Sequence, residues 1–213
     1  MDGAVVADQQ TEAREVVPGR PLSGEKAQRI VDAMRNSVAK RGSAGSTFDH
    51  VSREAGVSRG LLHYYFGTKE QLLVEAARRD CELRLERLEG QLATAQSAED
   101  FIDLMAQSLR ETVTDDPDFV TLVFELFTLS RRNEDIALEY AGLMRRTREQ
   151  VAGMLALAQR EGVLRLHAEP EAIAEVLFSL ADGVALRMLT EPERDFTTTL
   201  SAGIVCARAL LTD

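Results

Sequence analysis

A short stretch of the chain, residues 42–69, carries two helix start signals around a glycine turn, and it constrains the fold most strongly. After the Gly- and Ser-rich residues 42–46, Thr47 is a typical N-cap for a helix over residues 48–55. Gly56 then provides the left-handed conformation that ends a helix, and Ser58 can cap a third helix that extends to about Tyr65. This order is a helix-turn-helix arrangement. Its small core is predicted to contain Phe48, Val51, Ala55, Val57, Leu62 and Phe66.

Helical periodicity also dominates the rest of the chain. Apolar residues at positions 27, 30, 31, 34 and 38 form one stripe of a first helix, which follows a Ser23 cap and stops near Gly42. Further helices are predicted from near Lys69 to 92 and over residues 98–113, 119–130, 134–162, 170–190 and 193–211. Five prolines and 14 glycines argue against a turn-rich β protein. We therefore predict an all-α fold of about nine helices, with a three-helix head and a larger helical bundle.

The chain divides into three parts by pattern. Residues 1–22 show no apolar period and contain Pro18-Gly19-Arg20-Pro21, so we predict a disordered arm. Residues 23–71 form the helix-turn-helix head, and residues 72–213 form the body. The arm has one base close to the head, Arg20, which could enter a DNA minor groove or simply belong to a solvated linker.

The charge is distributed unevenly along these parts. The whole chain has a formal net charge of −10, which excludes a uniformly basic nucleic-acid binder. Residues 20–79, however, contain eleven bases and six acids, a net charge of +5, whereas residues 80–213 have a net charge of −12. Such asymmetry is typical of a module that faces nucleic acid, although chance and solvated helix faces are an alternative explanation.

The cysteines and the termini indicate where the protein works. Cys81 and Cys206 belong to no metal-binding motif, so we predict two buried, reduced thiols and an intracellular protein. The N-terminus lacks the basic start of a signal peptide, and no apolar run is long enough to cross a bilayer. We expect a cytoplasmic protein that does not contact a membrane.

Residues 47–73, TFDHVSREAGVSRGLLHYYFGTKEQLL, resemble the DNA-binding signature of the TetR family of transcriptional regulators. The similarity covers about residues 24–73, and the Ala-Gly-Val-Ser-x-Gly motif followed by aromatic residues and Lys-Glu is specific. Asp182-Gly183 and the adjoining helices resemble members with a choline-regulator-type C-terminal domain. The resemblance implies a homodimer that usually represses transcription and leaves its operator, here expected to be a palindromic double-stranded DNA site, when a small-molecule effector binds.

The third helix is expected to enter the major groove with its N-terminal residues on base edges. Arg59 can bind guanine or a phosphate, and Gly60 lets the backbone approach the duplex. Thr47 and Lys69 lie at helix N-termini, which attract phosphate. The alternative is that the aromatic residues form a core cluster. The predicted DNA-binding residues, partly from the resemblance, are Thr47, Ser58, Arg59, Gly60, Leu61, His63, Tyr64, Tyr65 and Lys69.

The last predicted helix has apolar or small residues on every face, which indicates burial on more than one side, and the preceding helix adds large apolar residues. Small residues in the last helix would allow another helix to approach, so we predict a four-helix dimer interface; an interior helix of a monomer is the alternative. The predicted interface residues are Leu177, Leu180, Val184, Ala202, Gly203, Cys206 and Ala207.

A ligand pocket is expected between the helices of the body, because Met and Phe side chains adapt to apolar ligands. Each candidate could equally be ordinary core. The polar face of Thr121, Glu125 and Thr128 could anchor a ligand or face solvent. The predicted lining residues are Phe101, Met105, Leu109, Leu122, Leu126, Met144, Met154 and Phe178.

No cofactor, metal site or catalytic constellation is predicted from the sequence. Asp115, Asp116 and Asp118 could suggest a metal site, but a helix N-terminus that favours acids explains them better. We therefore expect a regulator and not an enzyme. The alternatives are an activator, a regulator that senses a protein partner, and an all-α enzyme.

Overall fold

The computed structural model describes residues 24–212. The predicted arm, its Arg20 and the Ser23 cap lie outside the described residues. Between residues 24 and 212 the chain forms nine α-helices and one π-helical turn, and no strand. The predicted all-α fold class, with about nine helices, is confirmed.

The head consists of α1 (Glu25–Gly45), α2 (Phe48–Ala55) and α3 (Arg59–Phe66). Helix α1 is interrupted at Gly42, whose φ of 68° lies in the left-handed region, as the predicted stop requires. Thr47 and Ser58 cap α2 and α3 by accepting the backbone N–H groups of His50 and Leu61. These predicted caps are confirmed, and the turn between α2 and α3 has Gly56 in the left-handed conformation.

The head is connected to the body by one long helix, α4 (Lys69–Leu92), which also packs against the head. The other helices of the body are α5 (Ala98–Arg110), α6 (Pro117–Ser130), α7 (Glu134–Arg160), α8 (Pro170–Thr190) and α9 (Thr197–Leu211). A π-helical turn, Glu111–Asp115, extends α5 and was not predicted. The predicted start of the last helix near residue 193 is wrong. The Asp195 carboxylate accepts the backbone N–H of Thr197 at 2.8 Å and so stabilises a later start.

One hydrophobic core joins the head to the body. Leu122 and Leu126 of α6 are fully buried in a cluster that also contains Ile30 and Met34 of α1. The predicted head core belongs to the same cluster, with Val57 and Phe66 only half-buried. A second cluster lies in the body among α4, α5, α7, α8 and α9. Because the head shares its core with α4, α6 and α7, its position depends on the body.

The two cysteines have different environments. Cys81 is buried in α4, and desolvation raises the pKa of its thiol to about 12. Cys206 is exposed on α9, so the prediction that both thiols are buried is wrong for this residue in the single chain. It follows Val205 on α9, whose apolar side chain is 61% exposed. Among residues 24–212, no helix is both long enough and apolar enough to cross a membrane.

The shared core predicts that head and body unfold together. Leu122→Ala should lower the free energy of unfolding by about 2–5 kcal/mol, because it opens a cavity at the junction. Urea denaturation followed by circular dichroism measures this change. Leu138→Ala, at a leucine that is 76% exposed on α7, is the matched control and should change the free energy by no more than about 0.5 kcal/mol. Two separate unfolding transitions in the native protein would contradict the continuous core.

Candidate DNA-binding face and ligand cavity

Helix α3 presents a polar, exposed face beside the head core. Leu62 is fully buried and anchors the helix, while Leu61 and Tyr65 are half-buried. The other predicted contact residues of this helix and its cap, Ser58, Arg59, Gly60, His63 and Tyr64, are exposed. Tyr64 is 74% exposed, so the alternative of an aromatic core cluster does not hold for it. A buried leucine and an exposed N-terminal turn are what a recognition helix requires.

Arg59 and His63 are positioned by neighbouring groups. A nitrogen of the Arg59 guanidinium, Nη1, lies 3.3 Å from the Asp49 carboxylate, and its Nε donates to His63 Nε2 at 3.3 Å. His63 Nδ1 lies 3.3 Å from the Gly67 carbonyl oxygen, so a neutral ring with hydrogen on Nδ1 satisfies both contacts. The ring also meets Phe48 edge-to-face. Exposed ion pairs contribute little free energy, so Arg59 can exchange Asp49 for DNA at small cost.

Lys69 makes contacts within the protein that the sequence did not reveal. Its Nζ donates to the carbonyl oxygens of Ser43 at 3.0 Å and Ala44 at 3.4 Å. The side chain therefore holds the segment between α1 and α2 in place, in addition to lying near the N-terminus of α4. Thr47 is exposed at the N-terminus of α2 with its hydroxyl engaged in capping.

Glu125 of α6 holds the same segment from the body. Its carboxylate accepts the backbone N–H of Ser43 at 3.2 Å and the Ser43 hydroxyl. Neither alternative for Glu125, a ligand anchor or a group facing solvent, describes this contact, because its carboxylate is bound to the head. Thr121 and Thr128 bond carbonyl oxygens of their own helix, each at 3.0 Å.

The body contains an apolar cavity of about 280 Å³ between α4, α5, α6, α8 and α9. Met105, Leu109 and Phe178 lie in its wall, as predicted. The other five predicted lining residues do not. Leu122 and Leu126 face α1, Phe101 is buried in the second cluster, and Met144 and Met154 pack against the first and second clusters. Periodicity identifies the buried stripe of a helix but not which neighbour covers it.

The cavity wall includes charged residues that the sequence analysis missed. Arg84 of α4 lies in the wall with its guanidinium carbon 4.1 Å from the centre of the Phe119 ring. Asp182 of α8 is also part of the wall, and desolvation raises the pKa of its carboxyl while Arg148 opposes that rise. An arginine between the apolar residues of one helix stripe, beside Cys81, Leu85 and Leu88, is the sequence signal that could have pointed to Arg84.

Helices α8 and α9 have an outer face with exposed apolar side chains. Val176, Leu180, Leu186 and Val205 are between 39% and 61% exposed. Of the predicted interface residues, Ala202 and Cys206 are exposed, Leu180 is exposed and also lines the cavity, and Leu177, Val184, Gly203 and Ala207 are half-buried and line the cavity. The two helices thus form part of the cavity wall and also carry exposed apolar side chains, with Leu180 belonging to both sets. Within the described part of the chain, no group of three His, Cys, Asp or Glu residues could hold a metal ion.

A helix-turn-helix with an exposed third helix, joined to a helical body with an apolar cavity, defines a DNA-binding regulator. Family models agree: "Bacterial regulatory proteins, tetR family" matches residues 30–76, and "BetI-type transcriptional repressor, C-terminal" matches residues 98–208. The chain belongs to the TetR family of transcriptional regulators, as the sequence resemblance indicated, and has a BetI-type C-terminal domain.

Individual proteins show the same relationship. The transcriptional regulator BetI of Rhizobium meliloti is 29% identical over 160 residues, which cover 74% of this chain and 75% of that protein. A regulator from Saccharomonospora viridis, solved in complex with choline, has a TM-score of 0.71 at 22% identity, covering 90% of this chain and 100% of that one. FadR of Bacillus subtilis, solved with stearoyl-CoA, has a TM-score of 0.71 at 16% identity, covering 84% and 96%.

Arg59→Ala should weaken specific DNA binding by about tenfold or more, since a base-reading arginine contributes about 1–3 kcal/mol. The duplex is one selected from a random pool by the native protein, and fluorescence anisotropy measures its affinity. Arg145→Ala, at an exposed arginine on α7, removes the same charge from the body and should leave the affinity within about twofold. Equal affinities for native protein and Arg59→Ala would remove Arg59 from the contact set.

Proposed function

We propose that this protein is a homodimeric repressor that binds a palindromic operator and releases it when a small apolar or amphipathic effector enters the cavity. The observation that carries this proposal is the position of α6. One face of this helix, with Phe119, Val120 and Phe124, lines the cavity, and the opposite face packs on α1 of the head. A ligand that moves α6 therefore moves the head. The bacterial cytoplasm, which holds the chromosome, is the compartment in which such a regulator acts.

The DNA-binding role is assigned to the exposed turn of α3 and to the groups around it. Arg59, His63 and Tyr64 supply polar tips for bases and phosphates, and Gly60, with no atom near its absent Cβ, leaves room for the DNA backbone. Thr47 and Lys69 contribute at helix N-termini. Lys69 also contributes to DNA binding indirectly. It binds the carbonyl oxygen of Ser43, in the segment before α2, and this segment determines where α2 begins.

Dimerisation is assigned to the outer face of α8 and α9. Contiguous exposed apolar side chains mark an interaction site, and an isologous contact of two helices from each protomer forms a four-helix interface. A two-fold axis between two heads explains why the operator would be palindromic. The net negative charge of the bodies lies away from the heads and would orient the dimer head-first on DNA.

The dimer is tested by Val205→Asp, which places a charge on the outer face at a side chain that is 61% exposed in the single chain. The native protein should sediment with a mass near twice 23.5 kDa, and the variant should sediment as a monomer because a buried, unpaired charge is costly. Leu138→Asp, at an exposed leucine on α7, is the matched control and should remain dimeric. A dimeric Val205→Asp protein would place the interface elsewhere.

The cavity is tested by filling it. Octanol, octanoate and octyltrimethylammonium serve as probes of one chain length, and at least one should weaken binding to the selected duplex. Ala106→Leu extends a side chain from the cavity wall and should reduce that response about tenfold, whereas Ala141→Leu on the exposed face of α7 should not. Anisotropy titrations measure both. A response that survives Ala106→Leu unchanged would place the effector site outside the cavity, and tighter DNA binding with the probe would indicate an activator.

A further inference from the structure

Four charged side chains meet where the head joins the body. Arg35 of α1 pairs with Asp116 at the start of α6, and its Nη1 lies 3.4 Å from the Asp80 carboxylate of α4. Asp116 also pairs, through its other carboxylate oxygen, with Arg84 of α4. The two arginines therefore share Asp116, one from the head and one from the body. Asp116 lies at the N-terminus of α6, as predicted, and its side chain pairs with the arginines without capping the helix.

Arg84 connects this network to the cavity. Its guanidinium stacks on Phe119, and its Nη1 donates to the Thr112 hydroxyl at 3.2 Å. Its Nε is buried and has no acceptor among residues 24–212. A buried donor without an acceptor is unfavourable, so the Arg84 side chain would gain by turning toward an acceptor oxygen of a ligand in the cavity. Arginine remains charged inside proteins and is suited to bidentate pairing with a carboxylate or phosphate.

Asp182, an acidic residue of the wall, is less suited to anchor a ligand. The Arg148 guanidinium opposes the rise in the pKa of the Asp182 carboxyl, but Arg148 pairs with Glu175, at 2.7 Å. Desolvation raises the pKa of the Asp182 carboxyl, and because the residue is exposed, solvent screens its charge. Desolvation also lowers the pKa of the Arg84 guanidinium, but an arginine stays protonated at neutral pH, and this one is only 20% exposed in a wall that is otherwise largely apolar.

We propose that the effector is an anionic amphiphile whose carboxylate or phosphate takes Arg84 from Asp116, and that this exchange transmits binding to the head. This proposal rests on the proposed function and adds the charge of the effector and the route of coupling. When Arg84 turns to the ligand, Asp116 retains Arg35 alone, and the balance of contacts that fixes α1 against the N-terminus of α6 changes. Because α1 carries the head, the distance between the recognition helices of the two protomers then no longer matches the distance between the two half-sites of the operator.

The first experiment compares the three eight-carbon probes on the native protein. Titration calorimetry should show octanoate binding at least about tenfold tighter than octanol, as expected for a hydrogen-bonded charge pair, and octyltrimethylammonium weakest of all. Octyl phosphate distinguishes the two anion classes, and its binding in place of octanoate would also support the proposal. Equal or tighter binding of octanol or octyltrimethylammonium would overturn it while leaving the proposed function intact. The proposal would also be overturned if neither octanoate nor octyl phosphate binds.

The second experiment uses a pair of arginine variants. Arg84→Met should abolish the preference for octanoate over octanol. Arg110→Met, at the other arginine of the cavity wall, should preserve it because Arg110 is exposed and is not paired with Asp116. Loss of the preference only in Arg110→Met would overturn the assignment of Arg84. Because Arg84→Met could impair folding, the comparison of probes on the native protein remains a test that needs no variant.

The third experiment separates binding from transmission. Asp116→Asn keeps the shape of the side chain but removes the charge that both arginines share. Octanoate should bind this variant at least as tightly as it binds the native protein, since Arg84 has lost its competitor. Its effect on operator affinity, expected to be about 5- to 150-fold in the native protein, should largely disappear. Retention of the full effect in Asp116→Asn would overturn the proposed route, whatever the charge of the effector.

Discussion

The packing of α6 between the head and the cavity is the constraint on which the rest of the structure depends. Leu122 and Leu126 bury one face of this helix against α1, and Phe119, Val120 and Phe124 line the cavity on the other. Closely packed interiors transmit displacement because they cannot compress. The head has too few buried residues of its own to hold its orientation independently, so the body determines where the recognition helix points.

Polar contacts fix the position of α1 relative to α6. At one end of the α1–α6 contact, Arg35 meets Asp116, and at the other end Ser43 meets Glu125. Lys69 reaches the same Ser43 from α4. The segment before α2 is thus held from two helices of the body. Two helices in purely hydrophobic contact can slide past each other, whereas hydrogen bonds and ion pairs require defined positions. Because such polar contacts join the head to the body, the junction is sensitive to a small change in the cavity.

The local structure could be read from the sequence because it depends on neighbouring residues. Thr47 and Ser58 cap the helices that they were predicted to cap, and Gly56 forms the expected left-handed turn. The predicted lining residues show where such reading fails. Met105 and Phe178 line the cavity, but Leu122 and Met144 pack toward the head cluster, although all four lie on apolar stripes. Periodicity reports which side of a helix is buried, and it carries no information about the partner.

The sequence by itself determined the helical fold, the helix-turn-helix and the family to which the chain belongs, since these follow from caps, turns and a contiguous motif. Only the tertiary structure decided that Arg84, Asp116 and Arg35 form one network and that Glu125 and Lys69 hold the same loop. These residues are separated by 26 to 82 positions along the chain. Their contacts arise only when α1, α4 and α6 pack together, and no local pattern records that arrangement.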